Sequence, residues 1–282
     1  MANQVDLRQQ DVDQRGRRRG TRTGAKIGRV ITKPVEDSEW MGGHLLEVGQ
    51  SGHAVPTVLW SPRLEDRPPV VLLGHGGTGH KTDEVIVRLA ARLVDRGIAA
   101  MAIDAPFHGE RAPSDGGQRS YLDHMAAQGM ASVSEEACAD WLAAVDAAGM
   151  AGAVDTDRVG FLGVSMGSNF GFPTCAQLGT RLRCAVLGKL GLAASPGFPA
   201  IVAASETVVA AAQRLQAPVL MHMQWDDEVF PRESQLALFD LIASPDKQLR
   251  ARPGPHGFTH PDDERSWISF VSRHLAPLEQ VS

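Results

Sequence analysis

The chain has 282 residues, of which 43% are hydrophobic and 22% charged, and its formal net charge is −5. These proportions suit a folded α/β domain and exclude a wholly disordered chain. No apolar run reaches the ~18 residues a membrane helix needs. The three cysteines, Cys138, Cys175 and Cys184, are too few and too irregularly spaced for a disulfide framework or a zinc site.

Charge is uneven along the chain. Through Arg29 there are eight Lys or Arg and three Asp, net +5, while the remainder is net −10. The cluster Arg15-Gly16-Arg17-Arg18-Arg19-Gly20-Thr21-Arg22 has no apolar periodicity, so residues 1–25 read as a flexible, solvated leader rather than a nucleic-acid arm. No apolar stretch follows the arginines, which argues against an export signal. A cytoplasmic protein with no membrane or nucleic-acid partner is expected. Residues 26–282 are expected to form a single domain.

Residues 26–32, 43–48 and 54–60 read as short strands separated by Gly, Pro and Ser. The run Pro69-Val70-Val71-Leu72-Leu73 is continuously apolar, as in a strand covered on both faces. A glycine-rich turn, 74–79, leads into a helix over 82–96. That helix has Ile86, Leu89, Ala90, Leu93 and Val94 on one face, Asp83 and Glu84 at its positive end, and Gly97 as its stop. The alternation repeats: a strand at 98–103, a polar loop with Pro113 and Gly116-Gly117, a helix over 132–148, a strand at 158–164 and a helix to 178. Strands at 184–190, 218–223 and 248–252 follow, with helices at 233–242 and 265–274. Such alternation implies a parallel sheet with helices on both faces. Ligands of such sheets bind beyond the carboxyl ends of the strands, so side chains just after a strand carry the most information.

Gly163-Val164-Ser165-Met166-Gly167 is a G-x-S-x-G pattern between an apolar strand and a helix-compatible segment. A sharp strand-to-helix turn would hold Ser165 strained and exposed above the sheet, and would bring the Met166 N–H to a helix start. A serine nucleophile needs a base. His256, in Pro253-Gly254-Pro255-His256-Gly257-Phe258 just after the last strand, is the favoured candidate, with His260 its rival and His222 a core residue. The base needs a carboxylate to fix its tautomer, and either Asp226 or Asp227, after the strand at 218–223, is placed to serve. The order Ser, Asp, His is that of a nucleophile elbow on an α/β sheet.

Gly74-His75-Gly76-Gly77-Thr78-Gly79 offers consecutive unobstructed N–H groups for a developing oxyanion, and its spacing fits neither phosphate-loop pattern. The segment from Asp104 to Arg111 is either a pocket wall or a loop tied together by its own Asp, Glu and Arg pairs. Phe107 and Trp225, in loops at the same edge, are candidate pocket residues. His75, His80 and His108 lack acidic or thiolate partners at ligand spacing, so neither a metal nor a cofactor is expected.

These residues resemble the α/β-hydrolase superfamily over 26–275 and, within it, serine esterases of the dienelactone-hydrolase-like branch. The resemblance is carried by His75-Gly76-Gly77, the Asp104-to-Arg111 segment, the Gly163-to-Gly167 elbow and the loops of Asp227 and His256. It implies an α/β-hydrolase fold: a mostly parallel central sheet flanked by helices, N-terminal antiparallel strands and a small cap at about 192–216. It favours Asp227, because Asp227-Glu228-Val229-Phe230-Pro231 resembles the family's Asp followed by a Val/Ile-x-Pro-like ending. It also implies that Gly77 and Met166 supply the oxyanion N–H groups. Three departures stand out: Ser165 replaces the cysteine of dienelactone hydrolases proper, Thr78 interrupts a His-Gly-Gly-Gly turn, and Gln224 stands where a glycine is common. The expected activity is therefore serine carboxylesterase chemistry on small or medium acyl esters, with a homodimer as the oligomer to test. Thioester, peptide or carbon–carbon cleavage would use the same residues, and a non-catalytic binding protein is the rival class.

Overall fold

The computed structural model describes residues 33–34, 43–50, 52–114 and 120–275. The expected basic leader, the expected strand at 26–32 and Gly116-Gly117 lie outside these residues. The strands are β1 (Lys33–Pro34), β2 (His44–Gln50), β3 (His53–Trp60), β4 (Pro69–Gly74), β5 (Ala99–Ile103), β6 (Asp155–Gly163), β7 (Leu182–Gly188), β8 (Val219–Gln224) and β9 (Lys247–Arg252). The helices are α1 (Glu84–Val94), α2 (Ser120–Gln128), α3 (Met130–Met150), α4 (Met166–Leu178), α5 (Glu206–Ala212), α6 (Arg232–Leu241) and α7 (Pro261–Leu275).

Among the described residues, the nine strands join one sheet in the order β1-β2-β3-β5-β4-β6-β7-β8-β9. The pairs β1–β2, β2–β3 and β3–β5 are antiparallel, and every pair from β5 through β9 is parallel. This is the expected α/β-hydrolase arrangement. The two-residue side-chain period of a strand explains why the central strands read as solid apolar runs. In β4, Val70 and Leu72 enter one core and Val71 and Leu73 the other, all fully buried. The first core is closed by α3 to α6, through residues such as Trp141, Phe172, Val208 and Leu238. The second is closed by α1 and α7, through Ile86, Leu89, Trp267 and Val271. Truncating Leu72 or Leu73 to alanine would cost roughly 2–5 kcal/mol.

Helix α1 begins where the sequence expects it. Asp83 caps it by accepting the Ile86 N–H at 3.0 Å, and Gly97, at φ 74°, ends it in the left-handed conformation. Helix α2 stands in what reads as a polar loop. Among its described side chains, those of residues 121–128, only Met125 is buried, so its own pattern carries almost no periodicity, and Gly129 (φ 86°) separates it from α3. Met125 shares a small core with Val133 and Ala137 of the next helix and with Ala105 and Phe170 farther away in the chain. Among the described residues no helix is long and apolar enough to cross a membrane.

Candidate active site

Strand β6 delivers the elbow. Ser165 lies between the strand and α4 at φ 59°, ψ −124°, a conformation that costs a side-chain-bearing residue roughly 1–3 kcal/mol. The surroundings hold it there. The Ser165 N–H donates to Gly188 O (2.9 Å), and the fully buried Ser168 Oγ accepts the Gly188 N–H (2.6 Å) while lying 2.7 Å from Gly163 O. Ser168 thus ties the elbow to the end of β7. Sequence reasoning missed it: α4 also buries Asn169 and Thr174, so one more polar side chain in that helix did not stand out. On the other side the elbow touches the glycine turn so closely that a Cβ on Gly167 would stand 2.4 Å from Gly74 O.

The structure brings Ser165, His256 and Asp227 into line. Ser165 Oγ lies 2.9 Å from His256 Nε2, and His256 Nδ1 lies 2.9 Å from Asp227 Oδ2. The Asp227 carboxylate is fully buried, and its Oδ1 accepts the N–H groups of Val229 and Phe230, each at 2.9 Å. That leaves Oδ2 for the imidazole, which places the ring proton on Nδ1 and turns Nε2 toward the serine. The buried Gln235 sits behind, its Nε2 at 2.9 Å from Phe230 O and 3.4 Å from Asp227 Oδ2.

The two neighbours of Asp227 have other tasks. Asp226 Oδ2 accepts the Gly254 N–H (3.0 Å), and Glu228 Oε2 accepts the His256 N–H (2.8 Å). Three consecutive acids therefore grip one loop, two through its backbone and one through the imidazole. The rival His260 sits at the start of α7, where its Nδ1 accepts the Asp262 N–H at 3.1 Å. His222 is fully buried inside β8, 2.9 Å from Gln224 Oε1 and edge-on to Trp267, and burial pushes its pKa down to about 4.

The glycine turn is fixed by imidazoles. His75 Nε2 accepts the Ala105 N–H (3.1 Å), so the ring proton is on Nδ1, which donates to Gly76 O at 2.8 Å. Burial, with the neighbouring His108 second, lowers the His75 pKa to about 4 and keeps the ring neutral. His108 Nε2 lies 3.0 Å from Gly77 O, and Tyr121 packs on the same residue so tightly that a Cβ on Gly77 would stand 2.6 Å from its hydroxyl.

A cavity of about 670 Å³ opens over Ser165, His256, Gly77 and Met166. Its walls are mainly apolar and include Tyr121, Met125, Met130, Phe198, Ile201 and Val202. The last three belong to the segment at 192–216, which folds as a single 3-10 turn followed by α5. Phe107 and Trp225 are not among the lining residues. Phe107 (φ 66°) stacks on His124, and Trp225 is 41% exposed with the Arg232 guanidinium 3.8 Å over its ring. Which way a loop aromatic faces depends on neighbours remote in sequence, and loop position alone did not fix it.

The Asp104-to-Arg111 segment does not line the cavity, and its charged side chains pair outside the segment, with Lys81 and with α3, rather than with one another. Asp104 accepts from Lys81 Nζ (2.7 Å), Lys81 N (2.8 Å) and Glu110 N (2.9 Å). Burial by itself would raise the Asp104 carboxyl, but these donors pull it below the usual carboxylate range. Arg111 reaches Asp140 at 2.7 Å and also pairs with Glu136. Among the described residues His53, Glu136 and Asp140 are near enough to share a cation, and Arg111 already supplies positive charge to that group.

The family profile of the dienelactone hydrolases matches residues 55–274. No curated protein sequence gives a significant match. A cold-adapted esterase from an Arctic intertidal metagenomic library, solved with bound polyethylene glycol, is 32% identical, with a TM-score of 0.72 over 88% of this chain and 100% of that one. An acetyl xylan esterase from Paenibacillus sp. R4 is 18% identical, with a TM-score of 0.68 over 88% of each chain. Est1E from Butyrivibrio proteoclasticus, solved with ferulic acid, is 19% identical, with a TM-score of 0.60 over 82% of this chain and 100% of that one. The last two likenesses show the fold alone. The profile match and the 32% identity go further: this chain belongs to the dienelactone hydrolase family and is a hydrolase built on the α/β-hydrolase fold.

Proposed function

We propose that the protein is a serine carboxylesterase acting on esters of small or medium acyl groups. The observation that carries the reading is the unbroken line from Ser165 Oγ through His256 to the buried Asp227, opening on a mainly apolar cavity that Gly77 and Met166 also line. The esterase likeness at 32% identity supports the ester class. A cavity of about 670 Å³ falls within the range of small-molecule sites, and its mainly apolar walls suit an uncharged acyl group.

In this reading Ser165 Oγ attacks the ester carbonyl carbon as its proton passes to His256 Nε2. The carbonyl π electrons move to oxygen, where the N–H groups of Gly77 and Met166 and the positive end of α4 receive the charge. Collapse of the adduct breaks the bond to the leaving oxygen, which takes the proton from His256 and departs as alcohol. Water then enters and attacks the acyl carbon as its proton passes to His256; collapse breaks the bond to Ser165 Oγ, which takes that proton back, and the acid is released. Asp227 keeps the Nδ1 proton in place and stabilises the transient imidazolium.

The test is labelling with a fluorophosphonate probe followed by peptide mapping, beside hydrolysis of p-nitrophenyl esters of increasing chain length. Labelling confined to Ser165, and turnover abolished in Ser165→Ala, are expected. Folded protein left unlabelled at Ser165 would overturn the reading.

A further inference from the structure

Lys189, the first residue after β7, stands in the left-handed region at φ 48°. A side-chain-bearing residue is strained there, and such strain persists only where the surroundings impose it. Here they do. The Lys189 N–H donates to His222 O at 2.8 Å, and the preceding Gly188 passes so close that a Cβ on it would stand 1.9 Å from the same oxygen. The lysine side chain is buried, and its ammonium donates to three oxygens of one loop. These are the carbonyls of His256 (3.0 Å) and Phe258 (2.6 Å) and the hydroxyl of Thr259 (2.8 Å). Acids hold the other edge of that loop, through the Gly254 and His256 N–H groups.

We propose that Lys189 is a positioning residue for the base: its charge gathers the His256 loop and so keeps Nε2 on Ser165. The proposal rests on the esterase reading above. An ammonium presents three N–H donors, one for each oxygen around it, whereas a neutral amine presents two and a lone pair. Deprotonation would therefore leave one loop oxygen unmet and facing a lone pair, in a buried site where the loss is felt most.

Burial pushes the Lys189 pKa down from 10.5 to about 8, against the opposing pull of Asp227, Asp263 and Glu228. The other titratable groups facing it are His222, which feels its charge, and His256, whose carbonyl it holds. Between about pH 8 and 10.5 the unfolded chain binds more protons at this position than the folded one. This group's contribution to stability accordingly rises with pH across that window. Alkaline loss of activity traced to Lys189 is thus loss of alignment, not unfolding.

The test compares the full chain with Lys189→Met, which keeps the length and apolar stem but removes the charge. The kcat and KM for p-nitrophenyl acetate are measured from about pH 6 to about pH 10, with circular dichroism following the fold and NMR following the downfield His256 Nδ1 proton. The variant is expected to lose at least about tenfold in kcat near neutral pH with KM within about threefold, and to show a broadened imidazole resonance. The wild-type decline in kcat above pH 8 should be absent from it. A Met variant with wild-type kcat, or one that keeps the same alkaline decline, overturns the proposal. Should that variant not fold, the wild type decides. A kcat flat to about pH 10 overturns the proposal, and a decline near pH 8 with a broadening His256 signal in folded protein supports it. Turnover surviving Ser165→Ala would sink the esterase reading itself, whereas Ser165-dependent turnover indifferent to Lys189 sinks this inference alone.

Discussion

The Nδ1–H of His75 donates, at 2.8 Å, to the carbonyl oxygen of Gly76, and that carbonyl belongs to the peptide group whose N–H is Gly77's. A hydrogen bond on one end of a peptide orients and polarises the other. His75 therefore acts on the proposed oxyanion donor through the backbone. Loss of an oxyanion donor typically costs ~3 kcal/mol of transition-state stabilisation, and misalignment costs part of that. His75→Ala should lower kcat by roughly 10- to 100-fold with KM little changed. His75→Asn, whose amide can still reach Gly76 O, should lose less. Steady-state kinetics on a short-chain ester check this; a raised KM with intact kcat would place His75 in substrate binding instead.

The acids at 226, 227 and 228 make a second prediction. Asp227 alone meets the imidazole, while Asp226 and Glu228 hold backbone N–H groups of the His256 loop. An amide at 227 would favour the wrong imidazole tautomer, so Asp227→Asn should reduce kcat by about 10²- to 10⁴-fold with the fold retained. Asp226→Asn and Glu228→Gln keep an oxygen acceptor in place and should cost less than about tenfold. Comparable losses in all three would mean that the loop as a whole, rather than the Asp227–His256 pair, limits the rate.

What could be read in advance follows from how far each signal reaches along the chain. Val70 to Leu73 is apolar at every position because both sheet faces are covered, and that is visible in four consecutive letters. The elbow is likewise local, five residues between a strand and a helix. Ser168 and Lys189 work through partners elsewhere in the chain, Ser168 on the end of β7 and Lys189 on the loop after β9, and no local spacing announces them. Phe107 and Trp225 show the converse. Their position after strands was read correctly, but their direction is set by His124 in α2, a helix the pattern did not reveal, and by Arg232.

Close approach at the elbow makes a third prediction. Gly167 meets the backbone of the glycine turn, with a Cβ position 2.4 Å from Gly74 O, and backbone cannot swing aside as a side chain can. Gly167→Ala must push the turn away from the elbow. Overpacking of this kind costs roughly 1–3 kcal/mol, and the displaced turn carries Gly77. A lowered Tm together with a fall in kcat is expected. An alanine variant with wild-type Tm and kcat would show that the turn and elbow move apart freely, and so that their spacing does not set the oxyanion site.

The buried imidazoles lead to a prediction for the acid limit of the fold. His75 and His222 are both held near pKa 4, first by burial, against 6.5 in an unfolded chain. Between pH 6.5 and about 4 the unfolded state binds more protons, so stability is complete above 6.5 and is lost as pH falls through the folded values. The shifts correspond to about 3 kcal/mol for each ring at full protonation, a large part of the stability of an ordinary domain. Urea unfolding followed by circular dichroism should show a free energy declining steadily from pH 7 toward pH 4. His222→Gln, which replaces a titrating ring with a neutral amide in the same strand, should flatten that decline by roughly half. A variant whose free energy falls as steeply as the wild type's would assign the acid limit to other groups, the carboxylates Asp104 and Asp263 first among them, since both are held below their ordinary range by cationic partners.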